Sequence, residues 1–270
     1  SISMFNSRFE DFFALLDSNF YDYIVIDEAH HSQADSYRKL FHHFQPHLLI
    51  GLTATPERMD GKDLRPDFGN RISAEIRLPQ ALQAGLLTPF QYLCISDDTD
   101  LSDDSLWSGQ KYNAERLADK LCAKTRARLI VDALHKYLAD EYTCRTLCFC
   151  VNKRHADFMA EQLRLYGFNA QSLTSDTPAL ERKQFAKDLR EGRLHYLCVV
   201  DIFNEGVDIP EVDTVLFLRP TESLTVFLLQ LGRGLRLSAG KTELTVLDFV
   251  AQANRKYDFA NRFRALTLQP

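Results

Sequence analysis

The sequence predicts an α/β protein of two parallel-sheet domains, the first truncated at its N-terminal side. Three observations carry this. Short apolar runs recur along the chain, and they are apolar nearly throughout, as strands buried on both faces are. Amphipathic stretches of helical period lie between them. The chain has 270 residues, long for one domain and comfortable for two.

Strands are expected at Tyr23–Ile26, Leu48–Leu52, Tyr92–Ile95, Thr146–Val151, Tyr196–Val200, Thr214–Leu218 and Leu244–Val250. Helices are expected at Phe9–Leu16, Ser36–Phe44, Arg126–Leu138, His155–Tyr166, Pro178–Arg190 and Leu224–Leu231. Residues 96–105, SDDTDLSDDS, are acidic and polar with no helical stripe, and they read as an exposed loop near a domain junction. Only two clear strands lie before residue 89, too few for a whole sheet, whereas about five lie after it. The domains are therefore expected at 1–88 and 89–270.

Hydrophobic residues make up 45% and charged residues 26%, and Gly and Pro number 11 and 9, so neither a disordered nor a fibrous chain fits. The formal net charge of -5 confines any nucleic-acid contact to a local basic stripe or cleft. No apolar run has the length of a membrane span, and residues 1–10 lack the layout of a secretory signal, so no membrane is expected and the compartment expected is the cytoplasm. The chain does not start with Met and reads as a fragment. Of six Cys, Cys144, Cys148 and Cys150 invite a metal reading. Cys148 and Cys150 sit in an apolar run, however, and no paired CxxC or His cluster completes a site, so buried reduced thiols are the expectation.

The sharpest chemical signal is Asp27-Glu28-Ala29-His30, directly after the first strand. Two adjacent carboxylates at the C-terminal end of a parallel strand stand where open α/β sheets bind ligands. One can hold Mg²⁺ through water, and the other can take a proton from an attacking water. Next, Thr53-Ala54-Thr55-Pro56 follows the second strand and offers two hydroxyls flanking an Ala, able to bridge by hydrogen bonds. Later, Gly232-Arg233-Gly234-Leu235-Arg236 sets two Arg three apart, which on a helix share a face suited to phosphate oxygens. Asp201, Glu205, Gly206 and Asp208 follow the strand Tyr196–Val200, and Gly206 permits a positive φ or a close approach.

Taken in order, these segments resemble the motifs of superfamily 2 helicases and translocases. DEAH and TAT resemble motifs II and III, Thr146–Asn152 motif IV, the run from Val200 to Pro210 motif V, and Gly232–Arg236 motif VI. The TATPER and NEGVDIP wording is closest to the branch of restriction-enzyme motor subunits. The resemblance spans about residues 20–250 and implies two RecA-like domains closing on ATP and Mg²⁺. It implies Asp27 as the Mg²⁺ holder, Glu28 as base, and Arg233 and Arg236 as phosphoryl-stabilising fingers. Gly206 and Asp208 would sense nucleotide, and His30, Thr53 and Thr55 would couple the cleft to the track. The implied partner is nucleic acid, DNA favoured over RNA, with a nuclease or restriction subunit or a fused domain beside it.

The chain departs from the family in three places. It has no G-x-x-x-x-G-K-[ST] loop; Gly240-Lys241-Thr242 ends like one, but Leu235 stands where the first Gly belongs and a strand follows, so a turn is expected. In the family that loop lies N-terminal to DEAH. Leu229 stands where motif VI often has Gln, with Gln230 one later, and Val200-Asp201 replaces a Thr-Asp pair. The competing reading is a non-catalytic module that binds nucleic acid or a partner. His31, His42, His43 and His47 have no metal spacing, and Trp107 is expected to pack locally rather than stack a base.

Overall fold

In the computed structural model, the described residues are 8, 11, 15–32, 34–53, 64–109, 111–200, 209–221, 223–253 and 266. The chain divides into two compact units, Ser1–Ile76 and Arg77–Pro270.

In the first unit, strands β1 (Tyr23–Ile26) and β2 (Leu48–Gly51) pair in parallel, Tyr23 opposite Leu48 and Ile26 opposite Gly51. Parallel strands need a crossover, supplied by helix α1 (Asp35–His43). Ile26 is buried, whereas Tyr23, Val25, Leu48 and Ile50 are exposed, so successive side chains divide between a covered and an open face. A 3-10 turn at Arg65–Phe68 brings Phe68 edge-on to Phe41 and Asp67 Oδ1 within 2.7 Å of Arg38 Nη1, tying the turn to α1.

The second unit is a six-stranded parallel sheet of order β3-β10-β9-β6-β8-β7. Its strands are β3 (Phe90–Leu101), β6 (Thr146–Phe149), β7 (Ala170–Leu173), β8 (Tyr196–Val199), β9 (Thr214–Phe217) and β10 (Leu244–Ala253). A two-residue ribbon, β4 (Trp107–Ser108) with β5 (Lys111–Tyr112), stands apart. The helices are α2 (Leu78–Gln83), α3 (Ala114–Leu121), α4 (Lys124–Tyr137), α5 (Lys153–Leu165), α6 (Ala179–Arg190) and α7 (Leu224–Gly234). Cys148, Cys198, Leu216 and Leu247 face one core, formed with Ile130 and Leu134 of α4 and Met159 and Leu163 of α5. Leu147, Phe149, Val199, Phe217 and Val246 face the other, with Leu189 of α6 and Phe227 and Leu231 of α7. Both faces are covered, which is why the central strands β6, β8 and β9 are buried at every position. Among the described residues, no helix is long and apolar enough to cross a membrane.

The compact units divide at Ile76/Arg77; Leu78 and Leu87 pack on the second unit's core and the Thr88 N–H donates to Leu235 O at 2.8 Å. One expectation changes. Residues 96–101 are not an exposed loop: β3 runs on to Leu101, paired with β10 to Ala253. The acidic run hides a buried carboxylate. Arg126 Nε donates to Asp97 Oδ2 at 2.5 Å and its Nη2 to Leu218 O at 3.1 Å, both side chains almost wholly buried. Burial pushes the Asp97 carboxyl up, but the Arg126 charge and two bonds from Thr99 outweigh it, and the net shift is downward. The helix expected at Phe9–Leu16 lies mostly outside the described residues.

His155 is fully buried at the start of α5 and accepts the Val151 N–H on Nδ1 at 3.3 Å. Burial, with the charges of Arg126, Arg219 and Arg154, holds it far below the ordinary imidazole value. The four thiols Cys144, Cys148, Cys150 and Cys198 are buried, and burial raises Cys144 to about 11.

Two predictions follow from these buried groups. Arg126→Ala leaves Asp97 buried without its cation and costs about 3–5 kcal/mol; the double change Asp97→Leu with Arg126→Met costs much less. Urea unfolding of both variants checks this. For His155, the unfolded imidazole takes a proton below its ordinary value of 6.5 and the folded one does not. Its contribution is therefore full above that pH and lost as pH falls, by up to about 1.4 kcal/mol per pH unit. Unfolding free energy measured from pH 7.5 to 5.5 should fall more steeply in the wild type than in His155→Gln.

Candidate functional site

The first unit builds its site from the ends of two strands. Leu52 N–H donates to Ile26 O and Ala29 N–H to Leu52 O, each at 2.8 Å, so the end of β2 is laced to the turn after β1. Glu28 has φ 51 and ψ 47, a left-handed conformation rare for a non-glycine residue and a mark of functional turns. Its N–H donates to Asp27 Oδ1 at 2.9 Å. Asp27 is exposed, and its second oxygen has no hydrogen-bond partner among the described residues. An exposed carboxylate with a spare oxygen at a strand's C-terminal end fits a hydrated Mg²⁺.

His30 is half-buried, with Nδ1 3.1 Å from Thr53 Oγ1 and 3.3 Å from Glu28 Oε2. One ring nitrogen thus stands between the hydroxyl at the end of β2 and the Glu28 carboxylate. If it carries the ring proton it serves either oxygen, so the two partners compete. Ala29 is buried and packs this turn down. Gly51 is needed beside it, because a Cβ there would come within 2.7 and 2.8 Å of the Phe68 ring and 3.0 Å of Ala29 Cβ. Asp27, Glu28, His30 and Thr53 are therefore brought together. Thr55 lies outside the described residues.

In the second unit, Arg233 is half-buried in the last turn of α7, a helix capped by Ser223 Oγ accepting from the Val226 N–H at 3.2 Å. The shared-face expectation for Arg233 and Arg236 fails. α7 stops at Gly234, and Arg236 is exposed in the turn beyond it, so a helical period relates only Arg233 to the helix face. Gln230 is buried with Oε1 unpaired among the described residues, pointing inward rather than outward. Asp201, Glu205, Gly206 and Asp208 lie outside the described residues. Trp107 packs on Tyr112, ring centroids 4.6 Å apart, and its Nε1 donates to Gly109 O, which is the local packing expected of it.

The sequence reading missed the residues that hold the arginine turn. Thr88 supports it from the segment before β3, and Lys241 from the turn before β10. The turn at Gly240, with φ 79, was legible, but what the Lys241 ammonium reaches was not.

Comparison with known proteins gives this geometry a context. A family model described as the helicase conserved C-terminal domain matches residues 129–238, and one described as the type III restriction enzyme res subunit matches residues 1–58. The Saccharomyces cerevisiae protein IRC3, provisionally named an ATP-dependent helicase, is 30% identical over 245 residues, covering 88% of this chain and 35% of that protein. The endonuclease subunit of the EcoAI type I restriction enzyme of Escherichia coli is 24% identical over 258 residues, covering 86% of this chain and 32% of the subunit. This chain thus spans well under two thirds of these relatives. Among solved structures, the fragment of a provisionally assigned HsdR subunit from Vibrio vulnificus superposes with a TM-score of 0.68 at 24% identity, over 96% of this chain and 48% of that one. At that identity the likeness gives the fold: parallel-sheet domains of the RecA-like helicase kind.

Gly51→Ala should destabilise the first unit by about 1–3 kcal/mol through overpacking against Phe68 and Ala29. Denaturant unfolding followed by hydrogen exchange in residues 20–53 checks this.

Proposed function

Taking this chain as one of the restriction-like superfamily 2 helicases, we propose that it is the motor part of an ATP-dependent nucleic-acid helicase or double-stranded DNA translocase, whose parent protein is the enzyme. The observation that carries the reading is the first unit's catalytic turn, where Glu28 stands in a left-handed conformation at the strand end beside Asp27 and within 3.3 Å of His30. The family to which the chain is related supports ATP as substrate and Mg²⁺ as its companion ion.

Asp27 would hold a hydrated Mg²⁺ at the exit of β1, an ion that would supply charge neutralisation for the phosphates. Glu28 accepts a proton from the attacking water as that oxygen bonds to the γ-phosphorus and the bond to the bridging oxygen breaks. His30 exchanges its Nδ1 contact between Glu28 and Thr53, passing the state of the carboxylate to the end of β2. Thr55 continues that path. Arg233 and Arg236 stabilise charge on the transferring phosphoryl group, and Gly206 and Asp208 sense the nucleotide. The track is nucleic acid, with DNA ahead of RNA, and a nuclease or restriction subunit or a fused domain completes the assembly. Among solved neighbours, the restriction-modification enzyme LlaBIII is bound to DNA and the Saccharomyces cerevisiae protein Dbp5 to RNA, which supports nucleic acid as the track.

A second reading has one observation in its favour. No G-x-x-x-x-G-K-[ST] loop occurs in these 270 residues, so the chain by itself would bind without turnover.

The experiment is ATP hydrolysis with and without double-stranded DNA, by the 270-residue chain and by the parent protein. The chain alone should show little or no hydrolysis. The parent should show DNA-stimulated hydrolysis, abolished by Glu28→Gln and reduced by about 10³ in kcat by Arg233→Ala. A parent that hydrolyses no ATP under any nucleic acid would sink the motor reading and leave the binding module.

A further inference from the structure

Gly240-Lys241-Thr242 resembles the end of a phosphate-binding loop, but its ammonium is committed elsewhere. Lys241 Nζ donates to Pro210 O at 3.1 Å, to Arg236 O at 3.0 Å and to Gly234 O. An ammonium has three N–H donors, and here all three are used. Gly234 and Arg236 sit at the end of α7, where a helix leaves its last carbonyls without intrahelical partners and where a cation is favoured. Pro210 comes just after the 201–208 segment.

The same turn is gripped from a second side. The Thr88 N–H donates to Leu235 O at 2.8 Å and its hydroxyl to Arg236 O at 3.0 Å. Three consecutive carbonyls, those of residues 234, 235 and 236, are therefore all satisfied by Thr88 and Lys241. Close packing fixes the turn further: a Cβ on Gly234 would come 2.6 and 2.8 Å from the Leu244 methyls and 3.1 Å from a Val215 methyl. Gly240, at φ 79, reverses the chain, and the Lys241 N–H donates to Ser238 O at 3.2 Å. Together these bring the lysine back beneath the helix end. Burial pushes the amine down to about 8, with Asp213 and Glu211 acting in the opposite sense, so the ammonium form prevails at neutral pH.

We propose that Lys241 is a positioning residue that ties the arginine turn, 233–236, to Pro210, so that the turn and the chain at 209–212 move as one piece. The proposal rests on the motor reading above. It places no part of Lys241 on the nucleotide. Loss of the ammonium frees the carbonyls of residues 210 and 234 and leaves that of 236 to the Thr88 hydroxyl alone, and the arginines then lose their fixed aim. That penalises the chemical step more than substrate binding, because only the transition state needs the aim.

The test uses Lys241→Met, Lys241→Arg and Thr88→Val, first in the 270-residue chain by hydrogen exchange. With Lys241→Met, exchange should rise about tenfold in peptides covering both 209–212 and 232–238, with β6 and β8 unchanged. Lys241→Arg, which keeps a cation and its donors, should restore most of the protection. In the parent, Lys241→Met should lower kcat for DNA-stimulated hydrolysis by about 10²-fold with little change in KM, and Lys241→Arg should recover part of it. Unchanged exchange in both segments overturns the proposal, as does raised exchange with an unchanged kcat. Raised exchange in a parent whose wild type hydrolyses no ATP overturns the motor reading instead and leaves the tie standing. Should Lys241→Met fail to fold, Thr88→Val reads the same turn: faster exchange in 232–238 with lower kcat supports the proposal, and neither change overturns it.

Discussion

A parallel sheet is stable only when both of its faces are covered, and this constraint governs most of the molecule. In the second unit it is met. Along β6, Leu147 and Phe149 enter one core while Cys148 enters the other, and β8 and β9 repeat the division. With the sheet clamped between helices, its strand ends and the helix that follows β9 become fixed points, and the arginine turn inherits that rigidity through Gly234. In the first unit the constraint is half met. One face of β1 and β2 carries Ile26 inward, and the other leaves Tyr23, Val25, Leu48, Ile50 and Leu52 exposed, Tyr23 at 68%.

The chemistry follows the same division. Strand ends present side chains from a rigid base, so Asp27 and Glu28 emerge where β1 stops, and Thr53 where β2 stops. Their spacing is set by backbone bonds between Leu52 and Ile26 and between Ala29 and Leu52. The arginines come instead from a helix end, where carbonyls need partners. Thr88 and Lys241 meet that need and in doing so hold the turn. The same physical demand, satisfaction of backbone groups at the end of an element, shapes both halves of the proposed machinery.

The legible parts of the sequence were those with a strong pattern. The apolar runs of β6, β8, β9 and β10 carry their own signature, and the DEAH string stands at the end of β1, where the sequence puts it. What escaped has physical reasons. β7, Ala-Gln-Ser-Leu, is one of the sheet's two edge strands and needs no apolar run. Residues 96–101 look like a loop by charge, yet Asp97 is neutralised by Arg126, which lies 29 positions away and which no local pattern reveals. α3 begins at a legible cap, Asn113 accepting from Glu115 and Arg116, but its eight residues are short. Three-residue spacing puts Arg233 and Arg236 on one face only where a helix carries both, and α7 ends two residues before Arg236. Lys241 could be read as a turn residue but not as the partner of Pro210, since that contact spans 31 positions.

The central claim is that this chain belongs to a machine that moves on DNA at the expense of ATP. The most direct measurement is displacement of a third strand, or of the complementary strand, from double-stranded DNA by the parent protein. The account predicts displacement that requires ATP and disappears with Glu28→Gln. Displacement indifferent to ATP, or none from a parent that binds the DNA, would contradict it.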